Sequence, residues 1–183
     1  QGSDSEDAAT RFAALALRPH DCYGMMGVMR RSLGGHAMPM ESFHGADRVL
    51  LARIALAGRF ITVPDALLKV RDHAGRYSRA QKKLRDRATW YDARNKGKLS
   101  FPVWRMYGSY WSSLASATVP AGTRWRARAA LLRWWFVNFN AIRMAVDVAG
   151  NVAPGIVDVA ENFKQSVFSP APGPGEARHS RKR

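Results

Sequence analysis

Cysteine is almost absent. Cys22 is the only one in 183 residues, so no internal disulfide can form, and with five scattered histidines no thiolate-based zinc site can be assembled. A reducing, cytoplasmic setting is the expectation. Long apolar runs are also lacking. The longest charge-free aromatic stretch, Trp134 to Ile142, lies between Arg133 and Arg143 and is far short of the roughly 18 to 20 residues that span a bilayer. Acidic residues are scarce, 14 against 29 Lys and Arg. The resulting net charge of +15 points to anionic partners: phosphate-bearing ligands, nucleic acid or an acidic membrane surface. The start, Gln1-Gly2-Ser3-Asp4-Ser5-Glu6-Asp7, is acidic and polar where a secretion signal would be basic and then apolar. Since the first residue is Gln1, a piece of a longer chain is the simpler expectation.

What is present suits a folded domain: 46% hydrophobic, 10% aromatic and 23% charged residues exclude a disordered or collagen-like chain. No internal repeat appears. Arg11 to Leu17 is nearly continuous, Ala-rich and closed by Pro19, which predicts a short helix. Tyr23 to Arg30, with Gly24 and Gly27 set in a Met- and Val-containing run, reads as a buried strand. Gly34-Gly35, Pro39 and Gly45 make 34–46 a loop. Val49, Leu50, Ile54 and Leu56 then recur at helical spacing, with Asp47 in the first turn, and Gly58 is the expected left-handed stop.

Phe60-Ile61-Thr62-Val63, the turn signal Pro64-Asp65 and Leu67-Leu68-Lys69-Val70 predict a strand pair. Between residues 69 and 98 there are eleven basic side chains against three acidic ones, more than half the net charge. Leu84, Ala88 and Tyr91 share one face of a helix within that run. Trp104, Gly108, Trp111 and Ala115 form a helical stripe ending near Pro120. From Thr123 to Asp147 one long helix is expected, with Trp125, Ala129, Leu132, Phe136, Phe139 and Val146 as its apolar face and Arg124, Arg126, Arg128, Arg133 and Arg143 on much of the rest. Residues 155–168 read as a last amphipathic element and 169–183 as a disordered basic tail.

Four features are candidates for function, each with a plainer reading. Asp47 is a carboxylate at a helix start, equally suited to capping. Arg71-Asp72-His73 with Ser78 is either a loop-fixing group or part of a site. The basic run is either a solvated face or an anion contact. The Trp- and Arg-rich helix packs in the core or lies at a membrane interface. There is no Gly-rich phosphate loop with Lys and Ser or Thr, no nucleophile elbow, no His-Glu-x-x-His helix and no Asp-x-Asp after a strand. A complete phosphoryl or glycosyl donor site is therefore missing from the sequence.

Taken in order, Gly24 to Arg31, Gly45-Ala46-Asp47-Arg48-Val49-Leu50-Leu51, Gly58-Arg59-Phe60 with Val63-Pro64, and Arg71-Asp72-His73 with Ser78 resemble the acceptor-side half of bacterial family 2 glycosyltransferases. The likeness runs on through Phe101-Pro102-Val103-Trp104-Arg105 and covers roughly residues 7 to 136. It implies an α/β fold: the C-terminal half of a three-layer, GT-A-type nucleotide-sugar transferase domain over 1–98, an aromatic-rich helical extension over 99–168 and the tail over 169–183. The donor-binding half with its Asp-x-Asp would precede Gln1.

The resemblance further implies that Asp47 is the catalytic base of an inverting transfer from a nucleotide sugar to an acceptor hydroxyl. Ala46 stands where the family often has a second acidic residue. Arg71, His73, Arg76 and Ser78 would hold the donor diphosphate, with His73 also near a divalent metal, Mg or Mn. The implied partners are a nucleotide-sugar donor and a glycan or lipid-linked acceptor, reached from the cytoplasmic side and, on the charge, at an anionic membrane surface. The alternative is a basic module that binds nucleic acid or a membrane surface without catalysis; of these, nucleic acid is not expected, as no nucleic-acid-binding motif is present.

Overall fold

The computed structural model describes residues 2–70, 84–96 and 98–152. Within them the chain is helical. In order it forms α1 (Ala8–Leu17), a 3-10 turn (Cys22–Met26), α2 (Arg31–Ala37), α3 (Ala46–Ala57), α4 (Leu84–Tyr91), a second 3-10 turn (Ala93–Asn95), α5 (Pro102–Ser116), α6 (Ala121–Trp134) and α7 (Asn140–Val152). No β-strand is present among the described residues, which overturns the α/β expectation and with it the GT-A-type fold.

The two predicted strand regions show why. Cys22–Met26 is a 3-10 turn, and residues 60–63 and 67–70 belong to no helix or strand. Ile61, Leu67 and Leu68 are all exposed. A β-prone run gains its stability from a paired neighbour and a covered face, and here these residues have neither. Two smaller corrections concern glycines. The 34–46 loop starts inside α2, which runs through Gly34 and Gly35. Gly58 is extended rather than left-handed, φ −155°, and its missing side chain makes room for Leu33, whose Cδ1 would lie 3.0 Å from a Cβ there.

The core is built from α1, α3, α5 and α6, with α7 closing over α5. Asp7 starts α1 by accepting from the Thr10 amide at 2.8 Å and the Thr10 hydroxyl at 2.6 Å, and Arg126 of α6 reaches the same carboxylate through two 3.0 Å hydrogen bonds. α3 is the central element, buried at Val49, Leu50, Leu51, Ala52, Ile54 and Ala55, faces too widely spread for a helix with a wet side. Arg11 is buried beside its C-terminal end and donates to the Ala55 carbonyl at 2.7 Å, placing a cation where the helix dipole and the unpaired carbonyls favour one. Phe12 meets Tyr110 edge-on, ring centroids 5.9 Å apart, and Tyr107 lies 5.0 Å from Trp134.

The helix expected over 123–147 is two helices. α6 ends at Trp134 and α7 begins at Asn140, with Asn138 and Phe139 both left-handed, φ 54° and 55°. The apolar stripes also face the other way from the expectation. α5 buries Val103, Met106, Tyr110 and Leu114, leaving Trp104 and Ala115 exposed. α6 buries Ala127, Leu131 and Trp134, so that Trp125, Ala129 and Leu132 point outward. The element expected over 155–168 and the tail lie outside the described residues.

Candidate active site

Gly45 sets the geometry at the start of α3. Its φ of +97° is open to glycine at little cost, and a Cβ there would stand 2.9 Å from Met106 Sδ of α5. The loop can therefore approach α5 closely only with glycine at this position. Two residues on, half-buried Asp47 turns its carboxylate back onto the helix start and accepts the Arg48 amide proton at 2.9 Å. The Arg48 guanidinium donates to the His20 carbonyl at 2.8 Å. No ion pair engages Asp47 among the described residues.

Cys22, brought in by the 3-10 turn that packs on α3, lies close enough to Asp47 to feel its negative charge. Burial first, and the negative charge of Asp47 second, push this thiol up to about 12. It is therefore a protonated neighbour and not a nucleophile. Tyr110 closes the far side, fully buried, its phenol pushed up by desolvation. The Nε2 of His20 is enclosed without a hydrogen-bond partner. Asp47 is thus a carboxylate held by the Arg48 amide beside a protonated thiol, with further lone pairs able to accept a proton.

Of the expected site residues only Asp47 is placed. Arg71, His73, Arg76 and Ser78 lie outside the described residues, so their juxtaposition with Asp47 is not described. Among the described residues no three His, Cys, Asp or Glu side chains converge as metal ligands. The Mg or Mn expectation rests on His73, which lies outside the described residues. No helix among the described residues is long and apolar enough to cross a membrane.

Two groupings went unread in the sequence. Cys22 and Asp47 meet through tertiary packing across 25 positions, with no motif to announce it. Glu41 binds Arg53 at 2.8 Å, Ser109 at 2.9 Å and Arg105 at 3.5 Å, while Arg105 also stacks over Phe43, 4.9 Å from the ring centroid. This group ties the loop before Gly45 to α3 and α5. Its one sequence signal was an acidic residue isolated in a basic, Met-rich neighbourhood. No protein-family model, curated protein or solved structure matches the chain.

Proposed function

We propose that this chain is the acceptor-side, base-bearing part of an inverting glycosyltransferase that uses a nucleotide-sugar donor. The reading rests on the ordered residue series from Gly24 to Ser78, and the observation that carries it is the state of Asp47: fixed at a helix start, half-buried and free of any described ion pair. In the reaction, the acceptor hydroxyl gives its proton to the Asp47 carboxylate as its oxygen forms a bond to the anomeric carbon from the face opposite the leaving group. The bond from that carbon to the nucleoside diphosphate breaks and the diphosphate departs with the electron pair, which inverts the centre. Positive charge is needed where the diphosphate leaves. Arg71, His73, Arg76 and Ser78 are assigned that task on the resemblance alone.

The test is Asp47→Asn in the chain expressed with the full reading frame that encodes it. Asn keeps the size and the hydrogen bond to the Arg48 amide but accepts no proton. Turnover should fall roughly 100-fold or more, with donor affinity and melting temperature nearly unchanged. If Asp47 only caps α3, Asn serves about as well and turnover survives; that result would sink the assignment.

A further inference from the structure

α7 carries polar groups on its inward side around Met144, which packs in the core: Asn140 and Asp147 are each 2% exposed, and Asn151 lies one turn beyond. Every one of these groups is used. Asn140 donates to the Trp134 carbonyl at 2.9 Å, Asp147 accepts the Val103 amide at 2.7 Å, and Asn151 exchanges hydrogen bonds with both backbone groups of Ser100 at 3.0 and 2.7 Å. Phe101 offers no side-chain cap to α5, so α7 supplies one from across the fold. The cost is that the apolar residues Ile142, Val146, Val148 and Val152 face outward and are exposed.

The same outward surface continues through the corner and onto α6. Phe136 and Phe139 are 89% and 77% exposed, the latter presented by a left-handed backbone that a bulky residue adopts only under strain. On α6, Trp125 and Leu132 stand one above the other on the side away from the core. Arginines flank this stripe. Arg128 lies over the Trp125 ring, 5.7 Å from its centroid, and Arg126 and Arg133 are exposed on the opposite flank. In residues 121–152 the only carboxylate is Asp147, and it is buried. The surface is therefore apolar at its centre and positive at its edges, and the carboxylate that reaches it, Asp7, is paired to Arg126.

We propose that this α6–α7 surface docks on an anionic membrane, lying in the interface rather than crossing it. Phe136, Phe139 and Ile142 enter the acyl boundary, and Arg128 and Arg133 meet lipid phosphates from above, while Arg126 stays paired to Asp7 and Arg124 to the Ala117 carbonyl. Charge selects this occupant over a second copy of the chain, since two such faces would set arginine against arginine. The apolar centre selects it over nucleic acid, which needs no row of outward valines. The proposal does not rest on Asp47 or on transferase chemistry.

The test is co-sedimentation of the whole chain with vesicles of phosphatidylcholine alone or mixed with phosphatidylglycerol, at about 0.1 M and about 0.5 M salt. The mixed vesicles should bind it. Salt should weaken that binding while leaving a fraction bound through apolar contact. Phe136→Ser with Phe139→Ser should lower the salt-resistant part about tenfold or more, and Ile142→Ser should lower it less. Both variants alter exposed side chains, so unchanged circular dichroism is expected, and Asp47→Asn should bind vesicles normally. Failure to bind mixed vesicles, equal binding by the double variant, or a dimer in sedimentation velocity that the double variant dissolves would each overturn the proposal.

Discussion

α3 and α7 are nearly equal in length, 12 and 13 residues, and opposite in sidedness. α3 turns Val49, Leu51, Ala52 and Ala55 into the core and meets other elements on most of its circumference. α7 turns Asn140, Asp147 and Asn151 inward around the single core residue Met144 and its valines outward. Hydrophobicity alone would orient both the same way. What keeps polar groups on the inward side of α7 is a set of hydrogen bonds, because buried polar groups must be paired and the end of α6 and the unclosed start of α5 provide the partners.

The largest effect that would sharpen this contrast is expected in α3. Leu51→Ala removes a side chain only 1% exposed and should cost about 3 kcal/mol, read as a lower denaturant midpoint at unchanged slope. A loss under about 1 kcal/mol would mean that α3 is not the core helix.

Next comes Asp147, whose carboxyl is pushed up to about 6 by burial, against which the Val103 amide works. A folded-state value raised above the usual 3.8 means that stability is fully present below pH 4 and is lost as pH rises through 6. Asp147→Asn keeps an acceptor for Val103 without the charge. The variant should match the parent near pH 4 and exceed it by about 2 to 3 kcal/mol at pH 8. Parallel stability profiles across that range would break the account of α7 as a helix held by its polar side.

The smallest effect belongs to the outward face. Val146→Ala or Ile142→Ala should change stability by no more than about 0.5 kcal/mol. A loss of 2 kcal/mol or more in urea melts would show that the chain itself covers these residues, and the contrast with α3 would disappear.

Much of the helical framework was legible because it is local. Pro19 after Leu17, the spacing of Val49, Leu50, Ile54 and Leu56, and the run from Pro102 each specify their helix without outside help. The strands were not, because a strand is a relation between two segments and Tyr23 to Arg30 or Phe60 to Val70 states only a propensity. The break at 135–139 contains neither Pro nor Gly. Asn138 gives a weak signal, since Asn tolerates the left-handed region, but Phe139 argues against a turn. Sidedness failed for a different reason: Trp125, Leu132 and Phe139 have helical spacing and look like a core face, but α6 buries Ala127, Leu131 and Trp134 instead and the break before Asn140 takes Phe139 off that helix. At the candidate site Asp47 could be read from its position behind Gly45. Its neighbours Cys22 and Tyr110 could not, as they arrive from elements 25 and 63 residues away.

One contact links the two halves of this picture mechanically. α5 is gripped at Val103 by Asp147, and a single turn further on Met106 fills the space over Gly45 that a side chain would otherwise occupy. A close-packed interior passes displacement on rather than absorbing it. α5 is therefore the element through which α7 and the start of α3 are packed into one body.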